Sequence, residues 1–193
     1  LHNVAHSFPT RRSSDLGPDA QRLADLHAAL ADDEVAAIHA LRGGYGCLRI
    51  LAGVDAALVR RARKPLIGYS DITALHALWA REGVPSLHAP MAASDLIRPE
   101  READREAFFA ALRSGLPPGT ALAPELLPGG LRVPGTATGR LVGGNLSLVS
   151  TLLGTPWAWD VRGALLFLEE VGEATYRVDR LLRHLHLAGL LRD

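Results

Sequence analysis

The sequence of 193 residues is poor in cysteine and in aromatic residues, and it has no excess of charge of either sign. Its single cysteine, Cys47, excludes an internal disulfide and a metal site built from several cysteines. Lys and Arg total 21 and Asp and Glu also total 21, so we expect no basic surface for nucleic acid. No apolar run approaches the ~20 residues that span a bilayer. We therefore predict a cytoplasmic protein that binds neither nucleic acid nor membranes.

The composition is that of a globular protein, with 48% hydrophobic and 22% charged residues. Segment 1–16 differs from the rest, because it has no periodicity and contains a polar RRSSD cluster. We interpret it as a spurious segment that resembles translated adapter sequence, or else as a disordered tail, and exclude it from the fold. The chain stops directly after a predicted helix, so we expect it to be truncated at both ends.

Short apolar segments alternate with amphipathic helical segments across residues 17–113. The predicted strands are 35–41, 65–69 and 85–88, and the predicted helices are 19–30, 47–51, 54–63, 72–83 and 99–112. This order predicts an α/β domain with a parallel sheet, in which ligands bind beyond the carboxyl ends of the strands. The glycine-rich loop 43–46 and Ser70 both fall at such ends.

A second, partial domain is predicted over residues 136–193. It follows a segment rich in proline and glycine, 114–135, which we interpret as a linker. The domain's predicted elements are a strand at 136–141, a glycine turn at 143–145 opening a helix through 153, a strand at 164–168 and a helix at 176–187.

Ser70 stands between an apolar strand and a helix, in the segment Gly-Tyr-Ser-Asp. A serine on such a turn lies next to free backbone N–H groups that favour negative charge. This placement suits a nucleophile whose attack creates an oxyanion, although Ile72 stands where a nucleophile elbow has its second glycine. From the segment alone, the alternative is that Ser70 only caps the helix.

Two further segments could take part in chemistry. The loop 43–46 could bring backbone N–H groups to a phosphate or an oxyanion, or it could be an ordinary tight turn. Glu169 and Glu170 end an apolar strand, where a carboxylate could orient a histidine that acts as general base. The alternative is that both are solvated acids of a loop.

The eight histidines show no spacing typical of a metal site. His184 and His186 lie two residues apart on a predicted helix, so they point to different faces. His76 lies on the apolar row of its helix, where we expect it to pack. We predict neither a metal nor another cofactor.

Several motifs together resemble the LD-carboxypeptidases, a serine peptidase family that includes the microcin-immunity peptidases. The resemblance extends from about residue 19 to the end of the chain. The matching segments are residues 42–46 (RGGYG), 64–73 (KPLIGYSDIT), 88–91 (HAPM), 143–146 (GGNL), 154–157 (GTPW), 166–173 (LFLEEVGE) and 176–180 (YRVDR).

The resemblance implies a flavodoxin-like N-terminal α/β domain that carries the nucleophile and a smaller, β-rich C-terminal domain. By motif match, Ser70 would be the nucleophile and Glu169 the acid that orients the catalytic histidine. Backbone N–H groups of Gly44 and Asp71 would form the oxyanion hole. The family's histidine lies downstream of the glutamate strand, and no histidine of this chain matches it.

The resemblance also implies substrate contacts for Tyr45 and Asn145. The expected reaction is release of terminal D-alanine across an L,D-peptide bond of cytoplasmic murein peptides, with the chain as given an inactive fragment. A homodimer is a further expectation. The alternatives are a microcin-immunity-type peptidase and a non-enzymatic α/β module that binds an anion.

Overall fold

The computed structural model describes residues 17–116, 120 and 133–192. The predicted tail 1–16 and most of the predicted linker 114–135 lie outside the described residues. The assignment of 17–113 and 136–193 to two domains stays a prediction.

The first half of the chain is built around a three-stranded parallel sheet of order β1-β2-β3. Its strands are β1 (Ile38–His39), β2 (Leu66–Gly68) and β3 (Ser86–His88). All three residues of the central strand β2 are buried, as expected for a strand covered on both faces. The prediction of short parallel strands is confirmed, and β1 is shorter than the apolar run that predicted it.

Five α-helices connect and flank these strands. They are α1 (Asp19–Ala31), α2 (Cys47–Leu51), α3 (Ala56–Ala62), α4 (Thr73–Arg81) and α5 (Glu102–Ser114). Helix α4 is buried all round from Thr73 to Trp79, because the second half of the chain packs on the side that the sheet leaves open. Its predicted apolar row was therefore only part of what is buried.

The second half contains a two-stranded parallel sheet of β4 (Arg140–Asn145) and β5 (Ala164–Glu169). Helix α6 (Leu146–Thr151) follows β4 directly, and α7 (Thr175–Leu187) follows β5. The register pairs Asn145 with Glu169, so both strands end at the same level. One continuous apolar core includes side chains from both halves.

The prediction of a turn at residues 143–145 is wrong, because these residues form the end of β4. The two glycines serve close packing instead of chain reversal. A Cβ at Gly143 would lie 2.0 Å from Phe167 O, and one at Gly144 would lie 2.6 Å from Thr73 Oγ1. The strand predicted at 136–141 accordingly lies at Arg140–Asn145.

Within the described residues, no helix combines the length and the hydropathy needed to cross a bilayer.

Candidate active site

Ser70 occupies a strained position between β2 and α4. Its φ is 62°, in the left-handed region that residues with a Cβ rarely adopt. The backbone around Ser70 is confined, because Gly68 and Asp71 are both buried. A short 3₁₀ turn over Ser70–Ile72 then leads directly into α4. Strain of this kind persists only where the surroundings enforce it, and it is common at functional sites.

The Ser70 side chain does not cap a helix. Neither the 3₁₀ turn nor α4 has a side-chain cap, and the Ser70 hydroxyl makes no hydrogen bond to the residues that the structure describes. The hydroxyl instead lies against the glycine-rich loop, since a Cβ at Gly43 would be 3.1 Å from Ser70 Oγ. The structure thus brings the loop and the serine together, as their position at two strand ends predicted.

The peptide group between Gly46 and Cys47 is held at both of its polar atoms. Arg22 Nη1 donates to Gly46 O at 3.0 Å, and Cys47 N donates to Asp71 Oδ2 at 2.8 Å. The Asp71 side chain therefore ties the loop to the turn that carries Ser70. Burial raises the pKa of the Cys47 thiol, and the neighbouring Asp71 carboxylate raises it further.

Gly44, the predicted oxyanion residue, has a φ of 125° and lies under the guanidinium of Arg42. Gly43, which the motif match did not single out, is the loop residue that contacts Ser70. Tyr45 is 68% exposed at the tip of the loop. Nothing in the local sequence distinguishes the two glycines, since their separation from Ser70 depends on how the chain folds back.

The Asp95 carboxylate makes a second set of hydrogen bonds that hold the turn carrying Ser70. Tyr69 Oη donates to Asp95 Oδ1 at 3.0 Å, and Met91 N donates to Asp95 Oδ2 at 2.9 Å. The buried Met91 in turn lies beneath Gly43, with its methyl carbon 3.4 Å from a Cβ placed there. Sequence reasoning missed Asp95, and no local pattern identifies it.

The paired glutamates at the end of β5 differ in their surroundings. Glu170 accepts hydrogen bonds from Ser147 N, Ser147 Oγ and Asn145 Nδ2 at 3.2, 2.6 and 3.2 Å. Desolvation alone would raise the pKa of Glu170, but these hydrogen bonds and one from Val171 N lower it below its usual value. The Glu170 carboxylate is therefore already hydrogen-bonded to the residues at the start of α6.

Glu169 is the glutamate that keeps one carboxylate oxygen without a partner. Its Oε1 is buried and has no hydrogen bond to any described residue. Desolvation raises the pKa of Glu169, the negative charge of Glu170 adds to the rise, and the nearby Asn145 amide opposes it. A buried acceptor of this kind can receive an N–H from a group brought to it.

The face of β5 that carries Glu169 also carries Phe167, because side chains alternate along a strand. The ring of Phe167 meets the His88 ring edge-on, with centroids 5.0 Å apart. His88 lies 5.7 Å from the ring of Tyr69, the residue before Ser70. Glu169 therefore lies on the face that contacts the serine-bearing half of the molecule.

The start of α4 meets the end of β4. Asn145 N donates to Thr73 Oγ1 at 3.0 Å, three residues after Ser70. The Asn145 side chain caps α6 by accepting from Leu148 N and also contacts Glu170. The structure thus places the end of β4, with Asn145 and its cross-strand neighbour Glu169, against the start of α4, which follows the Ser70 turn.

Two described histidines, His184 and His76, lie away from this arrangement. His184 Nδ1 is 2.7 Å from Ser150 Oγ, between α7 and α6. His76 is buried and donates from Nε2 to Gly68 O at 2.9 Å, which confirms the prediction that it packs. Among residues 17–116, 120 and 133–192 no cluster of three metal-ligating side chains occurs.

The chain matches two models of known protein domains. Residues 2–89 match the model of the LD-carboxypeptidase N-terminal domain, and residues 138–193 match that of the LD-carboxypeptidase C-terminal domain. The chain belongs to the LD-carboxypeptidase family. The first of the two matches begins inside segment 1–16, which the sequence analysis set aside.

Curated LD-carboxypeptidase relatives cover most of the chain. A Bacillus subtilis protein named a probable murein peptide carboxypeptidase is 42% identical over 182 residues, 92% of this chain and 55% of the relative. The murein tetrapeptide carboxypeptidase of Pseudomonas aeruginosa is 37% identical over 168 residues, 84% of this chain and 54% of the relative. The chain thus spans about half the length of these relatives.

Solved structures share the fold. The muramoyltetrapeptide carboxypeptidase of Oxalobacter formigenes superposes with a TM-score of 0.74 at 28% identity, covering 91% of this chain and 58% of that one. The protein MccF in complex with glutamyl sulfamoyl guanosine gives a TM-score of 0.78 at 23% identity, covering 91% and 60%. At that identity the second likeness concerns the fold alone.

Proposed function

We propose that this chain carries the nucleophile, the oxyanion loop and the orienting acid of a serine carboxypeptidase that removes terminal D-alanine from murein peptides. The observation that carries the proposal is Ser70, which has a φ of 62° and a hydroxyl free of described partners against the Gly43 backbone. A structural serine has no need of such strain, whereas a nucleophile gains exposure and a fixed direction of attack.

The reaction would begin with attack of Ser70 Oγ on the carbonyl carbon of the scissile bond. The oxyanion that forms would accept hydrogen bonds from the backbone N–H groups of Gly44 and Asp71. The D-alanine amine would leave with a proton, and water would then release the acyl group from Ser70. The ties through Arg22, Asp71 and Tyr69 support this assignment, because fixed donors stabilise a transition state without reorganising.

Glu169 would orient the histidine that takes the Ser70 proton. Its unpartnered Oε1 is a suitable acceptor for a ring N–H, and its neighbour Glu170 is already occupied. An imidazolium beside Glu169 would stabilise the carboxylate and lower its raised pKa. We assign this histidine to no residue of the chain, because none matches the family position.

The substrate assignment rests on the names of the relatives, which act on murein peptides. We place the reaction in the cytoplasm, where murein peptides are recycled, and assign Tyr45 and Asn145 to substrate binding. Tyr45 is exposed within the loop, and Asn145 lies opposite Glu169 on the neighbouring strand.

The test uses the complete protein, recovered by resequencing the locus across both ends of this chain. Release of D-alanine from a murein L,D-tetrapeptide is measured for the natural protein and for the Ser70→Ala variant. We expect turnover to fall by at least about 10³-fold, as for loss of other serine nucleophiles.

The same peptide ending in L-alanine serves as the substrate control, and Ser114→Ala as the variant control. Ser114 is exposed at the end of α5 and should tolerate the change. Turnover that survives in Ser70→Ala would refute the assignment of the nucleophile.

A further inference from the structure

We infer that Arg42 binds the α-carboxylate of the substrate's C-terminal residue. This contact would direct cleavage to the last peptide bond of the substrate. The inference deepens the proposed function and rests on it. Nothing in the motif match gave Arg42 a role.

The chemistry of the reaction requires a cation close to the nucleophile. A carboxypeptidase cleaves the bond before a residue that ends in a free carboxylate. That carboxylate carbon lies about 3–4 Å from the scissile carbonyl carbon, three covalent bonds away. When the substrate binds, this carboxylate loses part of its hydration, which is costly unless a positive charge replaces it. The positive charge must therefore lie within a few ångströms of the bond that Ser70 attacks.

The guanidinium of Arg42 is folded back over the loop that contacts Ser70. Arg42 Nη1 donates to Gly43 O at 3.0 Å, and a Cβ at Gly44 would lie 2.6 Å from the same nitrogen. Gly43 also lies against the Ser70 hydroxyl, since a Cβ there would be 3.1 Å from Ser70 Oγ. The Arg42 guanidinium and the Ser70 hydroxyl are therefore both next to the same loop residue.

Arg42 is half-buried and still has hydrogen-bonding capacity. Arginine has five N–H donors in a planar fork that matches a carboxylate, and the bond to Gly43 O uses one of them. No ion pair joins Arg42 to a carboxylate within the described part of the chain. Arg42 is thus a positive charge near the proposed nucleophile with no carboxylate partner among the described residues, as expected for a residue that binds an anionic ligand.

Other cations near the site are already engaged. Arg22 is buried beneath the loop, where it bonds to Gly46 O and pairs with Asp19. Arg49 pairs with the same Asp19, and Arg101 pairs with Asp104. Of these four arginines within the described residues, Arg42 is the one without a carboxylate partner.

The experiment compares two peptides in the complete protein carrying Ser70→Ala, so that binding is measured separately from turnover. One is the murein tetrapeptide with its free terminal carboxylate, and the other is its C-terminal amide. Affinities are measured by calorimetry with Arg42 intact and with Arg42→Met. We expect Arg42→Met to weaken binding of the peptide acid about 10- to 100-fold and binding of the peptide amide less than about twofold.

Two further variants sharpen the result. Arg42→Lys should restore part of the preference for the acid, because it keeps the charge but not the fork. Arg61→Met, which removes an exposed arginine on α3, should leave the ratio of the two affinities unchanged.

Equal weakening of both peptides would show that Arg42 only holds the loop, and would overturn the inference. Unchanged affinities, or a protein that binds neither peptide, would overturn it as well. The proposed function fails on a different observation, the survival of turnover in Ser70→Ala, which leaves the ratio of acid to amide binding readable.

Discussion

Gly43 determines how closely the glycine-rich loop can approach the Ser70 hydroxyl. A Cβ there would lie 3.1 Å from Ser70 Oγ and 3.0 Å from Ser70 Cβ, tighter than ordinary van der Waals contact. The backbone of Gly43 itself is not in the left-handed region, so alanine would add crowding without backbone strain. Glycine is needed at position 43 because of its contact with Ser70, which lies far along the chain from it.

We expect Gly43→Ala to lower kcat/KM for D-alanine release in the complete protein about 100-fold, because it displaces the nucleophile. The free energy of unfolding should fall by only about 1 kcal/mol, because crowding costs about 1–3 kcal/mol and the loss of glycine's freedom in the unfolded chain returns about 0.4–1 kcal/mol. Urea unfolding and steady-state kinetics check the two values. Gly135→Ala is the control, since nothing lies within 4 Å of a Cβ there. Full activity in Gly43→Ala would contradict the close contact.

His76 should make stability depend on pH. Burial lowers the pKa of His76 from 6.5 to about 4 in the folded chain. Between these values the unfolded chain binds the proton and the folded chain does not, so stability decreases as the pH falls from 6.5 to 4. The full loss is about 3 kcal/mol.

The measurement is the free energy of unfolding by urea at several pH values, for the natural chain and for His76→Gln. Glutamine can still donate to Gly68 O but does not titrate. The difference between the two curves isolates His76 from the other titrating groups, including His88. Parallel curves would show that His76 does not titrate between pH 4 and 6.5.

At the scale of elements, the end of β4 is held by its fit against α4. Gly144 has a φ of 139°, and a Cβ there would lie 2.6 Å from Thr73 Oγ1. Thr73 receives the hydrogen bond from Asn145 N, so any widening of this contact also loosens that bond. The glycine therefore sets how near β4 can come to the Ser70 turn.

We expect Gly144→Ala to destabilise the chain about 1–3 kcal/mol more than Gly154→Ala does, as measured by urea unfolding. Gly154 also has a positive φ, 75°, but nothing lies within 4 Å of a Cβ there, so it controls for backbone strain. Equal losses in the two variants would mean that strain, and not the contact with Thr73, explains the glycine.

Element type was predictable where periodicity is local. The run Leu23, Leu26 and Leu30 predicted α1, and the apolar segment 65–69 predicted β2. The end of β4 was mistaken for a turn because glycine pairs usually mark turns. Here they mark close backbone approach, which depends on Phe167 and Thr73, both distant in sequence.

At the scale of the molecule, the beginning of the small sheet is poorly covered, on the same face that carries Phe167 and Glu169 nearer the strand end. The cross-strand pair Leu141 and Leu165 is 60% and 38% exposed. An open two-stranded sheet with exposed apolar side chains favours association between chains. We therefore expect the chain expressed alone to self-associate and to be poorly soluble.

Leu165→Lys should shift the chain towards monomer in sedimentation velocity, because the charge opposes burial of this face. Val133→Lys is the control, since Val133 is 88% exposed but lies outside the sheet. A natural chain that sediments as a soluble monomer and melts sharply would contradict the expectation.

The sequence by itself determined the alternation of strands and helices, the strand-end positions of Ser70 and the glycine loop, and the family. These follow from local periodicity and from motifs within short segments. Only the tertiary structure decided that Gly43 contacts Ser70, that Glu169 and not Glu170 keeps an unpartnered oxygen, and that Asp95 supports Tyr69. Such contacts join segments as far apart as the 72 residues between Thr73 and Asn145, and no local pattern encodes them.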